Sequence, residues 1–153
     1  MRALQLSVQG RARFAGLPAR STLARWAAAT LDRDARITLR FVGQAEGRRL
    51  NRDYRRKDYA TNVLTFDYSR TPAVEADVVL CVPVIRREAR EQRKTLRQHL
   101  AHLVVHGLLH ARGMDHDRAA SARRMEALEV DILAGLGLPD PYRWPAAAGR
   151  ALR

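Results

Sequence analysis

Several features that define other protein classes are scarce in this chain of 153 residues. A single cysteine, Cys81, excludes an internal disulfide framework. No stretch approaches the roughly 18 uncharged apolar residues of a membrane span, and the apolar run near the N-terminus is too short for a secretory signal. The composition therefore predicts a cytoplasmic protein with one domain over residues 1–153, whose tail after about residue 142 is irregular.

Acidic residues are also in the minority, and lysine is rarer still. The chain has 28 Lys and Arg against 16 Asp and Glu, a formal net charge of +12, and only Lys57 and Lys94 are lysines. This positive field favours a polyanionic partner such as RNA. Charge alone does not identify the partner, because each basic cluster is also compatible with a solvated helix face.

Hydrophobic periodicity predicts an α+β fold with a small mixed β-sheet of about four strands and packed helices. Strands are expected at 3–8, 35–42, 62–68 and 77–84. The last of these is nearly continuously apolar, as expected of a buried central strand. Helices are expected at 18–31, 43–54, 85–93, 95–111 and 117–133. The fourth helix carries histidines and should lie centrally in the domain.

Three of the five histidines have the spacing of a metal site. His106 and His110 are four residues apart, so they share one face of a helix and can reach one ion. Gly113 can end that helix in a left-handed conformation, and the chain can then return His116 as a third ligand. The alternative interpretation is that these histidines are ordinary helix residues with no metal-binding role. It explains poorly why all five histidines are so close in sequence.

A catalytic carboxylate is missing from this metal motif. The segment matches the metzincin pattern H-E-x-x-H-x-x-G-x-x-H, except that Gly107 stands where glutamate is the general base. Ordinary metzincin proteolysis is therefore disfavoured. Three protein ligands leave one tetrahedral position open, which is typical of catalytic zinc. Cys81 is predicted to be a small buried residue rather than a fourth ligand, and His99 and His102 to be packed imidazoles or groups that orient a ligand.

Two segments together resemble one known family. They are HGLLHARGMDH at 106–116 and LNRDYRRKDYATNVLTF at 50–66. Shorter matches follow at 77–81, 125–129 and 138–142. Over roughly residues 35–142 the chain is similar to the YbeY family, the bacterial metal-dependent endoribonucleases of ribosomal RNA maturation.

The resemblance implies a zinc-dependent, single-strand-specific endoribonuclease with one Zn²⁺ per chain. It would act in 16S ribosomal RNA 3′ end maturation, ribosome biogenesis and quality control. His106, His110 and His116 would be the zinc ligands, and Arg55 the catalytic arginine. The implied partners are ribosomal RNA and the small ribosomal subunit, with ribosomal proteins or an assembly GTPase as further candidates and no membrane.

Phosphodiester chemistry is compatible with the missing carboxylate. Phosphoryl transfer depends mainly on positioning and charge stabilisation, and zinc can lower the pKa of a bound water to about 7. Arg55 offers a planar cation that can bind a phosphate through two hydrogen bonds. Asp115, Lys57 and His102 are weaker candidates for orienting a ligand or binding substrate, and Asp115 is equally compatible with a turn-forming role.

Two other functions remain open from the sequence. One is a metal-dependent hydrolase of a non-RNA substrate, which the missing glutamate disfavours for peptides. The other is a ribosome-assembly factor in which zinc is mainly structural, which the open coordination position disfavours.

Overall fold

The computed structural model describes residues 2–143, so the predicted irregular tail lies outside the described residues from residue 144 onward. The elements of the described part are β1 (Leu4–Gln9), α1 (Arg20–Thr30), β2 (Ala35–Val42), α2 (Gln44–Arg55), β3 (Val63–Ser69), β4 (Val74–Cys81), α3 (Val82–Glu91), α4 (Leu96–Ala111) and α5 (Ala119–Gly135). A 3₁₀ turn, Arg11–Arg13, precedes α1. No helix within residues 2–143 is long and apolar enough to cross a membrane.

The four strands form one mixed sheet in the order β1-β2-β4-β3. β1, β2 and β4 run parallel, and β3 is an antiparallel strand at the edge. The central strands β2 and β4 are the most buried, which fits their apolar sequences. The predicted fold class, α+β with a small mixed sheet of four strands, is therefore confirmed.

The boundary between β4 and α3 lies earlier than the sequence predicted. The strand expected at 77–84 begins at Val74, because Val74 pairs in register with Ala35 of β2. α3 then begins at Val82, with Pro83 in its first turn. Proline is tolerated there because its missing N–H would have no partner inside the helix. One apolar run thus spans the end of the strand and the start of the helix, so apolarity alone did not mark the boundary.

Helix α4 lies centrally on one face of the sheet, as predicted. It contacts β3 and β4 beneath it and the helices α1, α3 and α5 around it. Its apolar side is fully buried at Leu100, Ala101, Val104, Val105, Leu108 and Leu109. A smaller apolar cluster on the opposite face of the sheet lies against α2 and includes Cys81. The packing of α4 therefore fixes the position of its histidine face.

Gly107 allows α4 to approach the sheet closely. A Cβ atom at this position would lie 2.9 Å from Cγ1 of Val78 and 3.2 Å from Cγ2 of Val63. The Thr65 hydroxyl donates a hydrogen bond of 3.3 Å to the Gly107 carbonyl oxygen. Position 107 therefore faces the sheet, and the helix–sheet contact gives a physical reason why a glutamate cannot stand there.

We expect Gly107→Ala to lower the free energy of unfolding by about 1–2 kcal/mol, because overpacking outweighs the gain in helix propensity. Urea denaturation would measure the change. Gly135→Ala is the matched control, since Gly135 also lies in a helix but has no atom within 4 Å of the added Cβ. A Gly107→Ala protein as stable as the wild type would contradict the proposed steric role.

Candidate metal centre

Local capping defines both ends of the histidine helix α4. At its start, Thr95 and Gln98 form a reciprocal capping box with hydrogen bonds of 3.0 and 3.1 Å. At its end, the Gly113 N–H donates to His110 O at 2.9 Å and the Met114 N–H donates to Leu109 O at 3.0 Å. This pair of bonds is a Schellman motif, and Gly113 adopts the left-handed φ of +103° that the motif requires. The chain reverses directly after α4.

The reversal brings His116 beside His106 and His110. The ring centroids are 4.7 Å apart for His106 and His110, 5.4 Å for His106 and His116, and 4.9 Å for His110 and His116. One ring nitrogen from each histidine lies within 4.8 Å of the other two. His106 and His110 are partly buried, while His116 is exposed. The structure thus brings together the three residues that the sequence predicts as metal ligands.

The geometry of this histidine triad fits a metal ion. Nε2 of His106 lies 3.2 Å from Nε2 of His110. Two nitrogens that bind one tetrahedral zinc ion at about 2.1 Å are roughly 3.4 Å apart, which is close to this separation. Burial, followed by electrostatic repulsion from the neighbouring imidazoles of His106 and His116, lowers the pKa of His110 to about 4. His110 is therefore neutral at physiological pH, as a metal ligand must be.

Glu129 orients His106 from behind. Its side chain is fully buried, and its Oε2 lies 2.5 Å from Nδ1 of His106. Burial by itself raises the pKa of Glu129, but hydrogen bonds from His102 and His106 outweigh it and lower the pKa to about 2. An ionised carboxylate only accepts hydrogen bonds. Nδ1 of His106 therefore carries the proton, and its Nε2 presents a lone pair to the centre of the triad.

The other oxygen of Glu129 joins the centre to two further groups. Oε1 accepts from Nε2 of His102 at 3.1 Å and from the Tyr142 hydroxyl. Burial and the hydrogen bond to Glu129 raise the pKa of Tyr142 well above its ordinary value. His102, His106 and Glu129 could also group around an ion, but hydrogen bonds already join them. His102 therefore lies behind the triad, and the shared carboxylate connects it to His106 through two hydrogen bonds.

The triad opens into a cleft of about 600 Å³. Arg55, at the C-terminal end of α2, lines this cleft together with Lys57. Asp115 lines it as well, but its carboxylate accepts hydrogen bonds from the Ser121 hydroxyl and from the Asp117 N–H. These contacts favour the turn-forming role for Asp115. The structure thus brings the two predicted cations to the histidine triad.

Arg70 is a third cation in this cleft, which the sequence did not single out. It lies in the turn between β3 and β4, donates to Asp67 at 2.9 Å, and its guanidinium packs against Gly113. The sequence gives no signal for Arg70, because the chain has many arginines and Arg70 is not close to the histidines in sequence. The β3–β4 hairpin places it in the lining of the same cleft as Arg55.

Glu129 is the other residue that the sequence analysis missed as part of the site. It lies four residues after Met125 and four before Leu133, both of which are buried core residues of α5. A glutamate on the buried stripe of a helix is unusual unless it has a partner. The position of Glu129 on the buried stripe of α5 was therefore the sequence signal that could have identified it as part of the site. Cys81 is buried, as predicted, and its pKa is raised chiefly by burial. Among the described residues, the groups that could hold a metal do not include it.

Comparisons with known proteins support the same interpretation. The sequence profile of the family described as "Endoribonuclease YbeY" matches residues 18–137. A protein of that name from Polaromonas naphthalenivorans is 59% identical over 130 residues, which cover 84% of this chain and 85% of the relative. Another of the same name, from Aromatoleum aromaticum, is 55% identical over 142 residues, covering 91% and 92%.

A solved structure shows the fold independently. The solution structure of a Thermotoga maritima protein superposes with a TM-score of 0.56 at 21% identity, covering 91% of this chain and 99% of that chain. The family and the enzyme class expected from the sequence are the ones that the profile and the relatives carry. The histidine triad, the arginine-lined cleft and the matches along most of the sequence agree, and this chain belongs to the YbeY endoribonuclease family.

Proposed function

We propose that this chain is a zinc-dependent, single-strand-specific endoribonuclease. The observation that carries the proposal is the cleft in which the three histidines lie beside Arg55, Lys57 and Arg70. Three imidazoles and one open position are typical of catalytic zinc. The three cations of the cleft lining, which also contains Asp67, Asp115 and Asp117, suit the charge of a phosphodiester. A cleft of about 600 Å³ has room for a short stretch of single-stranded RNA.

The residues of the site would have three roles: metal binding, phosphate binding and orientation of a metal ligand. His106, His110 and His116 would hold the ion, which when bound supplies Lewis-acid polarisation of a phosphate oxygen and a nucleophile near neutral pH. Arg55 binds the non-bridging oxygens of the scissile phosphate and stabilises the charge that develops on them. Glu129 keeps His106 in the tautomer that a metal ligand needs.

The cellular role is part of the same proposal. We infer that the substrate is ribosomal RNA, with cleavage at the 3′ end of 16S ribosomal RNA, and that the protein acts in ribosome biogenesis and quality control. The partners would be the small ribosomal subunit, and ribosomal proteins or an assembly GTPase. A formal net charge of +12 supports association with such a polyanionic particle.

Arg55→Ala tests the catalytic part of the proposal. We expect cleavage of single-stranded RNA by the zinc-loaded protein to fall by about 100-fold, since one charged contact to the transition state is lost. Initial rates on a labelled oligonucleotide would measure it. Arg36→Ala is the matched control, because Arg36 lies outside the cleft lining, also carries one charge, and pairs with Glu75 at 3.7 Å.

The outcomes separate the candidate functions. Equal cleavage by wild type, Arg55→Ala and Arg36→Ala would contradict the catalytic role of Arg55, and equal cleavage by His110→Ala as well would mean that a contaminating nuclease is responsible. No cleavage of any RNA by zinc-loaded wild type would favour a non-RNA substrate or an assembly factor with structural zinc. Loss of activity in Arg55→Ala with retention in Arg36→Ala would support the proposed function.

A further inference from the structure

A second pocket adjoins the metal cleft along the histidine face of α4. It has a volume of about 420 Å³ and lies beside the N-terminal half of that helix. Asn62, Val63 and His106 line both this pocket and the metal cleft. The two cavities are therefore neighbours that share part of their walls, and His106 lies at this shared boundary. A strand whose phosphate lies at the histidine triad can therefore place a neighbouring nucleotide at this second pocket.

The walls of the second pocket combine apolar and polar surfaces. Leu103, Pro141 and Tyr142 supply the apolar part, and Glu88, Gln92 and Lys94 contribute polar groups. The Tyr142 ring is held in place by its hydroxyl, which donates to the buried Glu129. A mainly apolar pocket that also contains polar groups suits a nucleobase, which has two stacking faces and a hydrogen-bonding rim.

Glu88 is the fixed acceptor of this pocket. Its carboxylate accepts from the Asn62 amide at 3.0 Å and is 2.8 Å from Nε2 of His99, which is itself buried. The Glu88 side chain remains 25% exposed. Burial by itself raises the pKa of Glu88, but the hydrogen bonds from His99 and Asn62 outweigh it and lower the pKa. An ionised acceptor is thus held at the pocket wall with part of its surface accessible.

We propose that this pocket binds the base of one of the two nucleotides that flank the scissile phosphate, with a preference for bases that carry an amino group. Guanine, adenine and cytosine each present an amino group that Glu88 can accept from. Uracil has a single N–H between two carbonyl oxygens, which the carboxylate repels. The inference rests on the proposed function, because it takes the histidine triad as the place of the phosphate.

Occupancy of the pocket is tested by removing the base or by filling the pocket. An abasic nucleotide on one side of the cleaved bond should weaken RNA binding by about 10-fold, as expected for the loss of one stacked base. Gln92→Trp, which places an indole at the pocket rim, should cause the same loss with intact RNA and no further loss with the abasic RNA. Gln44→Trp is the control, since Gln44 is an exposed residue at the start of α2 and lines neither cavity.

Base preference is tested at Glu88. With the wild type, RNA that has guanine at the flanking position should bind about 10-fold more tightly than RNA with uracil there, as for one specific base contact. Glu88→Gln should reduce this ratio to below about 3-fold, because the amide also offers a donor to the uracil oxygens. A purely structural role of Glu88 would change both affinities equally and leave the ratio unchanged, which would overturn the assignment of Glu88.

Binding is measured by fluorescence anisotropy with metal-free protein and uncleaved RNA, so that it does not depend on catalysis. If the abasic nucleotide and Gln92→Trp have no effect on either side of a bond that the zinc-loaded wild type cleaves, the pocket proposal is wrong and the proposed function stands. If the wild type cleaves no RNA but the base effects appear, the base pocket stands and the endoribonuclease proposal fails.

Discussion

Replacement of His110 by alanine is expected to remove the bound metal and to reduce RNA cleavage by at least about 1000-fold, since the metal supplies the activated nucleophile. His110 lies between the other two histidines in sequence, and its Nε2 is 3.2 Å from that of His106. In His110→Ala, water would take the place of the His110 imidazole, and only two of the three protein ligands would remain. Metal content per chain, measured after purification without added metal, and initial cleavage rates would test both effects.

The control for this experiment is a histidine of the same helix outside the triad. His99 is buried and bonded to Glu88, and no group of described residues that could hold a metal includes it. His99→Gln should therefore keep one metal ion per chain. A His110→Ala protein that retains a full complement of metal would contradict the assignment of the triad.

Removal of the metal by a chelator would distinguish a catalytic from a structural role of the metal. The apolar side of α4 is buried against the sheet and three helices without any contribution from the triad. We therefore expect the far-ultraviolet circular dichroism spectrum to survive chelation. Outright unfolding would instead favour structural zinc.

Glu129→Gln is expected to weaken zinc binding by about 10-fold to 100-fold, the usual effect of losing a carboxylate that orients a histidine ligand. The amide keeps the shape of the side chain but loses the negative charge that holds Nδ1 of His106 protonated. Alanine is unsuitable here, because it would leave the polar groups of His102, His106 and Tyr142 without their shared buried partner. Competition with a chromogenic chelator would measure the zinc affinity.

Glu126→Gln provides the comparison for this variant. Glu126 lies on the exposed side of the same helix, one turn before Glu129, so the substitution removes the same charge without touching the triad. The zinc affinity of the Glu126→Gln protein should equal that of the wild type. Equal affinities of Glu129→Gln and wild type would show that the buried carboxylate does not act on the metal centre.

The predictable part of the site is local in sequence. The helical spacing of His106 and His110 follows from the geometry of a single helix, and the end of that helix follows from Gly113, whose φ is +103°. Alternation and apolar runs indicated the strands, although Pro83 and the apolar residues around it concealed where β4 ends and α3 begins. Each of these features depends on neighbours within a few residues.

The fold class, the histidine triad and the helix that carries it follow from the sequence alone. Tertiary packing alone brings Glu129 of α5 to His106, places Arg70 of the β3–β4 turn in the lining of the metal cleft, and forms a second pocket next to that cleft. It also gave Gly107 its role in helix–sheet contact. Local geometry is set by backbone hydrogen bonds between near neighbours, whereas these contacts join distant segments and depend on how whole helices and strands pack.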